Sequence, residues 1–555
     1  MKDMKDPGHG ARSFYIFHPS LLVLVLAAGL LRLGLSLYFP RAVKEDESAY
    51  LLLGHNLVTG NGFTYTGYPE LHFPPLHPLL IGLFSFVTRD LELASNLENA
   101  VFGGLLLLPV FAIAFRMYGI QTAWLTIILL AVFPPLVVNV LYSGSMTEPP
   151  FLFFLFSALA LCLAGLDDQR LWMFFPAGAF LGLAYLVRTE AIVFFSALFI
   201  FASLWLWSSV KPPNFRPWYG LALFTLPFTL LVAPYIWYLH VHTGQWMISG
   251  KTNITWRAGG WRDEGKSLDE IYNGLDSSGQ EINWLSPERF RGDVLRTVIA
   301  EPSGLVTRVI RSAGNLKENF FARTNFWWGL TPLVILGLFR EPWSRRRLRY
   351  EAFLFTIIAV LLVVFLPVGF LARFFAPAFP VLLTWTAKGA LELGRWAQET
   401  GAALCRGFFS NHYVKGGLGW LPAGMAVLAL ILTIPVAAER AISAMYFGDK
   451  EAGLWLKTHI SGVGKVMSED IAVAVYAGRG WVPSPNTDWA RFLRYAAAHG
   501  AEYLVVRDFR LESRRPELAS VVRNGTPELE LIHSFEEPHK SERITTFVYH
   551  ILKAS

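Results

Sequence analysis

Apolar runs that approach or exceed the ~18 residues needed to cross a bilayer as a helix dominate this chain. Hydropathy and length place them near residues 18–39, 97–117, 121–142, 149–166, 171–187, 191–209, 217–239, 324–339, 352–369, 374–390 and 418–438, about eleven spans. A soluble domain carries roughly 25% charged residues; here only 16% of 555 residues are charged and mean hydropathy is +0.40. The chain is therefore polytopic in a membrane. Its first run lacks a small-residue cleavage site and is too long for a signal-peptide core, so it is a retained span. The stretch PPLHPLLIGLFSFV, residues 74–87, is too short to cross and reads as an interfacial or re-entrant helix with proline in its first turn.

Charge orients the spans. Lys2, Lys5 and Arg12 put the N-terminus on the cytoplasmic side. The inner loops then hold Arg116, Arg170, Lys211, Arg216, the cluster Arg340, Arg345, Arg346, Arg347 and Arg349, and later Lys388, Arg395, Arg406 and Lys415. Counting 74–87 as a full span would turn that cluster outward, against the positive-inside rule. The net charge of +6 is this same bias rather than a nucleic-acid surface. Cys162 in an apolar run and Cys405 in a basic loop make neither a disulfide framework nor a metal cluster.

Three segments fall outside on this topology: 40–96, 240–323 and the tail from 440. In the tail charges rise, and strand-like runs (KVMSED, EYLVVRD) alternate with helical ones (WARFLRYAAAHG). The chain thus divides into a membrane domain, 1–440, and a small soluble α/β domain, 441–555. It shows no short-period repeat, low-complexity tract or heptad.

The outer segments carry the chemistry. KEDESAY, residues 44–50, puts Glu45, Asp46 and Glu47 just past the first span. Glu45 reads as a solvated loop flank. Asp46 and Glu47 precede SAYLLLGHNLVTGNGF, whose Leu51, Leu52 and Leu53 predict an amphipathic helix lying on the membrane surface and ended by Gly60 and Gly62. A helix N-terminus stabilises an acid by roughly 0.3–1 kcal/mol. Glu148 opens a later span; capping and a second active-site carboxylate fit it equally. Arg373 lies at the outer end of a span. A snorkelling anchor and a phosphate ligand both fit, and positive-inside bias favours the ligand. Arg188 and Glu190, between two runs, are placed to pair with each other or to meet substrate. His72 or Glu70 with His242 or His240 forms a candidate site for a divalent cation (Zn, Mg or Mn), though the spacing matches no closed zinc motif. Interfacial packing accounts equally for His72 and His77. Trp256, Trp261 and Trp284 could stack on a sugar, with no spacing to single them out.

The order of these features is more specific than any one of them. A first span is followed by Asp46-Glu47-x-x-Tyr50, a Gly-rich turn, and His72 ahead of Pro-Pro-Leu. Then come SGSMTEPPFLFF (143–154), APYIWYLHVHTGQW (233–246) and GFLARFFAPAFPVLL (369–383). The set resembles the GT-C superfamily of membrane glycosyltransferases, in particular protein O-mannosyltransferases and lipid A aminoarabinose transferase. The resemblance implies a GT-C-like polytopic α-helical membrane protein of about eleven to thirteen transmembrane helices, with extracytoplasmic loops and the small C-terminal α/β domain. It also implies transfer of a sugar from a polyprenyl-phosphate donor to a lipid, glycan or protein hydroxyl, outside the plasma (inner) membrane, by a single inverting displacement. By the same resemblance Asp46 is the general base, with Glu47 orienting it or holding a metal. Arg373 and Arg188 would bind the donor phosphate, and Glu148, Tyr50 and Glu70 acceptor or sugar; His72 and His242 are metal candidates by ligand chemistry alone, not by the resemblance. The chain departs from the pattern where an acid should stand two residues before Pro-Pro; His72 is there, with Glu70 two residues upstream. No organic cofactor is implied.

Two other classes compete. A transporter or flippase of a lipid-linked substrate predicts intramembrane charges, broken spans and paired repeats. Pro134 and Pro135 do interrupt a span, but the ionisable residues gather at the outer face and no two halves echo each other. A non-enzymatic scaffold leaves Asp46 and Arg373 without a role.

Overall fold

The computed structural model describes residues 18–44, 46–208, 216–256, 265–290, 302–320, 328–367, 372–404, 412–509, 511–539 and 542–552. Lys2, Lys5, Arg12, Glu45, Lys211, Trp261, Cys405 and Arg406 lie outside them. Among the described residues seven helices are long and apolar enough to cross a membrane: Pro19–Tyr38, Leu91–Tyr118, Glu148–Asp167, Ala191–Ser208, Pro217–Thr243, Arg345–Phe365 and Gly419–Ile442. Leu76–Thr88, Ile120–Ala131 and Leu171–Val187 are apolar but shorter.

This is fewer long spans than the hydropathy runs, for local reasons. The run at 121–142 breaks because Phe133, preceding a proline, is extended, and Pro134 opens a separate turn, Pro134–Val137. The run at 324–339 forms a helix only over Thr331–Phe339. The run at 374–390 continues as Ala378–Leu404, which carries Lys388, Glu392 and Arg395 from its middle onward.

The two ends of the bundle differ in chemistry. At one end Arg116 donates to Asp168 at 2.8 Å, Tyr350 donates to Asp167 at 2.8 Å, and Glu351 accepts from Tyr118 at 2.7 Å and Trp385 at 2.9 Å. Glu148, at the start of the helix that Asp167 closes, stands about 28 Å away at 1.5 Å per residue, among Arg188 and Arg373. Ionisable groups are not confined to the ends, however. Arg32 is buried inside the first span, donating to the Ala28 carbonyl at 3.0 Å, and His77 meets Glu98 at 3.2 Å with both side chains fully buried.

The tail forms a five-stranded mixed sheet of β1 (Lys465–Ser468), β2 (Trp481–Pro483), β3 (Ala501–Arg507), β4 (Leu529–His539) and β5 (Glu542–Ile551), in the order β2-β1-β3-β5-β4. β1 runs parallel to β2 and β3; β5 is antiparallel to β3 and β4. Side-chain alternation splits the core into two layers. Val466, Tyr503, Val505 and Val548 pack under the helices Gly448–His459 and Ala472–Ala477. Met467, Leu504, Val506 and Tyr549 pack under Trp489–His499 and Pro516–Asn524. Ile282, from the segment 240–323, joins this second layer. It is fixed there by Asp269, which accepts from Arg515 at 2.6 and 2.8 Å and from Asn486 at 2.8 Å.

The helix predicted after KEDESAY is present as Asp46–Thr59, and Gly60 (φ 81°) and Gly62 (φ 85°) end it in a conformation that suits glycine. One side of it is covered by protein. Glu47 through Leu51, Leu53 and Gly54 are buried. A side chain at Gly54 would strike the backbone of Pro78 and Gly82, so this helix and Leu76–Thr88 pack directly on each other.

Candidate functional site

Successive helical residues point about 100° apart, and this separates the two acids of the opening motif. Asp46 faces outward, its side chain 34% exposed, with one carboxylate oxygen 3.5 Å from Arg373 Nη2. Glu47 points inward and is fully buried. It accepts from Arg41 and, at 3.1 Å, from Ser95 Oγ, while Arg41 also donates to Asn96. Gly144 (φ 79°) closes this nook, since a Cβ there would collide with the Glu47 carboxylate. Glu47 thus secures the helix from behind.

Glu148 opens its helix beside Pro149 and Pro150, as the sequence suggests. Its carboxylate accepts from Arg188 at 2.9 Å, and Arg188 reaches Glu190 at 3.1 Å with its other nitrogen. The Arg188 guanidinium also lies 5.5 Å from the ring centroids of Phe151 and Phe374. Burial pushes the Glu190 carboxyl upward, but Arg188, with Lys251 behind it, outweighs burial and holds it below its ordinary value. Arg373 sits in the tight turn Ala372–Phe375, just before the helix Ala378–Leu404.

Several of these groups rim one cleft. Glu148, Arg188, Glu190 and Arg373 make its polar part. Phe151, Phe194, Leu361 and Phe365, from three of the long apolar helices, make its apolar wall. Tyr50, one turn after Asp46, is buried between Phe73 and His77, whose rings lie 4.9 and 4.7 Å away edge-to-face. Burial first, then the carboxylates of Asp46 and Glu148, hold its phenol well above the ordinary value, so it is a neutral donor.

Lys251 is a site residue that sequence reasoning passed over. Its Nζ lies 5.0 Å from the Phe73 ring centroid. Burial lowers its pKa, opposed first by Asp46 and then by Glu190, with Arg188 and Arg373 adding to the lowering. Like Arg373, it is a cation in a segment where positive-inside bias predicts few, and that signal points to it.

Glu70 and His72 form a second cluster. Glu70 is buried and accepts the backbone N–H groups of His72 and, at 2.8 Å, Phe73. Burial raises its pKa, partly offset by Arg289. His72 packs against Trp284 at 4.1 Å between ring centroids. Burial, then Lys251 and Arg289, hold it well below its ordinary value, so the ring is neutral. His242 is exposed and bonds the Tyr238 carbonyl at 2.8 Å. The two histidines therefore make separate contacts. Trp284 also donates to Tyr65 Oη at 3.0 Å, and Trp256 lies under Arg308 at 4.2 Å.

Residues 72–238, under half of the chain, match the family model described as dolichyl-phosphate-mannose-protein mannosyltransferase. No curated protein sequence matches the chain. Among solved structures it is similar to the oligosaccharyltransferase AglB of Archaeoglobus fulgidus, in complex with an inhibitory peptide and a dolichol-phosphate. That likeness has a TM-score of 0.56 at 15% identity, over 89% of this chain and 70% of that one. ArnT of Cupriavidus metallidurans bound to undecaprenyl phosphate gives 0.55 at 13% identity, over 95% and 97%. The Archaeoglobus fulgidus enzyme in complex with Zn and sulfate gives 0.56 at 13% identity, over 96% and 73%. The chain has the polytopic GT-C fold that its motif order resembles.

The zinc in that last neighbour raises the question of a metal here. Among the described residues no three His, Cys, Asp or Glu converge as ligands. The carboxylates nearest the cleft are each already paired, Asp46 with Arg373 and Glu148 and Glu190 with Arg188. A divalent cation here would have to take its ligands from carboxylates that these arginines already hold.

Proposed function

We propose that the chain is a membrane glycosyltransferase that moves a sugar from a polyprenyl-phosphate carrier to an acceptor hydroxyl at the outer face of a plasma (inner) membrane, with inversion. One observation carries this reading: a single cleft joins an apolar wall of membrane helices to a rim of two arginines, and one of those arginines is paired with Asp46. The wall suits an isoprenoid chain. The rim suits its phosphate, which guanidinium binds with two parallel hydrogen bonds.

The pairing suggests how binding and chemistry connect. At 3.5 Å and about one-third exposed, the Asp46–Arg373 contact is weak. A donor phosphate entering the rim competes for Arg373 and frees Asp46. Asp46 then takes the acceptor's proton as the new C–O bond forms, and the anomeric C–O bond to phosphate breaks. The phosphate leaves with its extra charge facing Arg373, Arg188 and Lys251. Tyr50, neutral and next to both carboxylates, can donate to a sugar oxygen. The likeness to proteins crystallised with dolichol-phosphate and undecaprenyl phosphate supports the donor class.

The test is a transfer assay in liposomes with a panel of polyprenyl-phosphate sugars. Wild type should consume one donor, and Asp46→Asn should lose transfer by roughly 10²–10⁴-fold while folding normally. Normal turnover by the variant, or no donor consumed by wild type, would defeat the proposal and return the transporter reading.

A further inference from the structure

We infer that the C-terminal α/β domain is a positioning element for the Asp46 helix, acting through Tyr476 and Lys450; this rests on Asp46 being the base. Residues 41–44 link the first span to that helix and have no regular structure, so their backbone groups need outside partners. The tail supplies three in succession. Lys450 Nζ donates to the Arg41 carbonyl at 2.9 Å, the Ala42 amide donates to Met445 Sδ at 3.2 Å, and the Val43 amide donates to Tyr476 Oη at 2.8 Å.

The same residues close a side-chain circuit. Tyr476 Oη donates to Glu92 at 2.9 Å, Lys450 meets Glu92 at 3.0 Å, and Glu92 lies 3.5 Å from Arg41 Nε. Arg41 in turn holds Glu47, the neighbour of Asp46. On the helix itself, Ser48 Oγ donates to Asp470 at 3.3 Å, at the end of β1. The azimuth of Asp46 is thus set by residues about 400 positions away. A misplacement of about 1 Å can cost on the order of 10²-fold in rate, so a domain that grips this segment sets the catalytic rate even where it touches no substrate.

The experiment uses the full-length protein with Tyr476→Phe and Lys450→Ala, singly and together. It reads hydrogen–deuterium exchange and steady-state transfer. Exchange should quicken roughly tenfold in peptides spanning 40–52 while tail peptides keep their protection. Transfer kcat should fall tenfold or more with donor KM within about twofold, and Lys450→Arg should restore most of the loss. Unchanged exchange over 40–52 overturns the inference, as does loss of protection throughout the tail, which marks plain unfolding. If wild type transfers nothing, the catalytic reading falls, and the exchange result still decides whether the tail holds this segment.

Discussion

Replacing Arg188 by alanine tests the electrostatics of the cleft directly. The guanidinium bridges Glu148 at 2.9 Å and Glu190 at 3.1 Å. Losing one partner of a fully buried pair costs about 3–5 kcal/mol, because a charge is stranded. The side chains of Glu148 and Glu190 are 8% and 24% exposed, so water recovers part of that, and about 2–3 kcal/mol is expected. The loss should depend on pH, with a sign that follows from Glu190. In wild type its folded pKa is depressed, so its contribution is present above the unfolded pKa and is lost as pH falls through the folded one. Without Arg188, burial is opposed only by the weaker pull of Lys251 and a backbone hydrogen bond. The folded pKa rises, and the penalty near neutrality is relieved as pH falls. The apparent Tm of Arg188→Ala in detergent should therefore lie several degrees below wild type near neutrality, and the gap should narrow at about pH 5. A gap that is absent, or equally wide at both pH values, would refute this account of the pair.

Arg373→Lys keeps the charge but loses the two-pronged contact, so transfer kcat/KM should fall roughly 10–100-fold, with polyprenyl phosphate binding weakened in parallel. Asp46→Asn, by removing the competitor for Arg373, should bind the carrier phosphate at least as tightly as wild type even while inert. In the tail, burial pushes Asp449 up to about 6, with Arg507 opposing at 3.5 Å. A folded pKa above the unfolded value means the fold prefers the protonated form, so this contribution is lost as pH rises through about 6. Asp449→Asn should accordingly be more stable than wild type near neutrality, by about 2–3 kcal/mol, and the difference should vanish below about pH 4; a constant difference across that range would show that Asp449 does not titrate there.

How much of this was legible in the sequence follows from what each signal measures. A charge beside a membrane is costly, so Asp46, Glu148, Arg188 and Arg373 stand out from hydropathy alone, and all four reach or adjoin the cleft. The same test applied to 240–256 would have added Lys251. What hydropathy does not carry is the direction in which a side chain turns. Asp46 and Glu47 are neighbours in sequence, yet one faces Arg373 and the other Arg41 and Ser95, because a single helical step rotates the side chain by about 100°. His72 looked like a metal ligand by residue type, but its neighbour is Trp284, whose place depends on how the outer loop folds onto the tail. Secondary structure shows the same divide. Alternation in KVMSED and EYLVVRD is visible because each strand has covered faces, whereas the order β2-β1-β3-β5-β4 is set by pairing between distant segments. What the Asp46–Thr59 helix packs against is hidden for a related reason. Its apolar positions were counted, but the glycines that let two backbones touch, Gly54 and Gly82, carry no hydrophobic signal. Local energetic cost thus reveals which residues need an explanation, and only the tertiary contacts decide which explanation each one has.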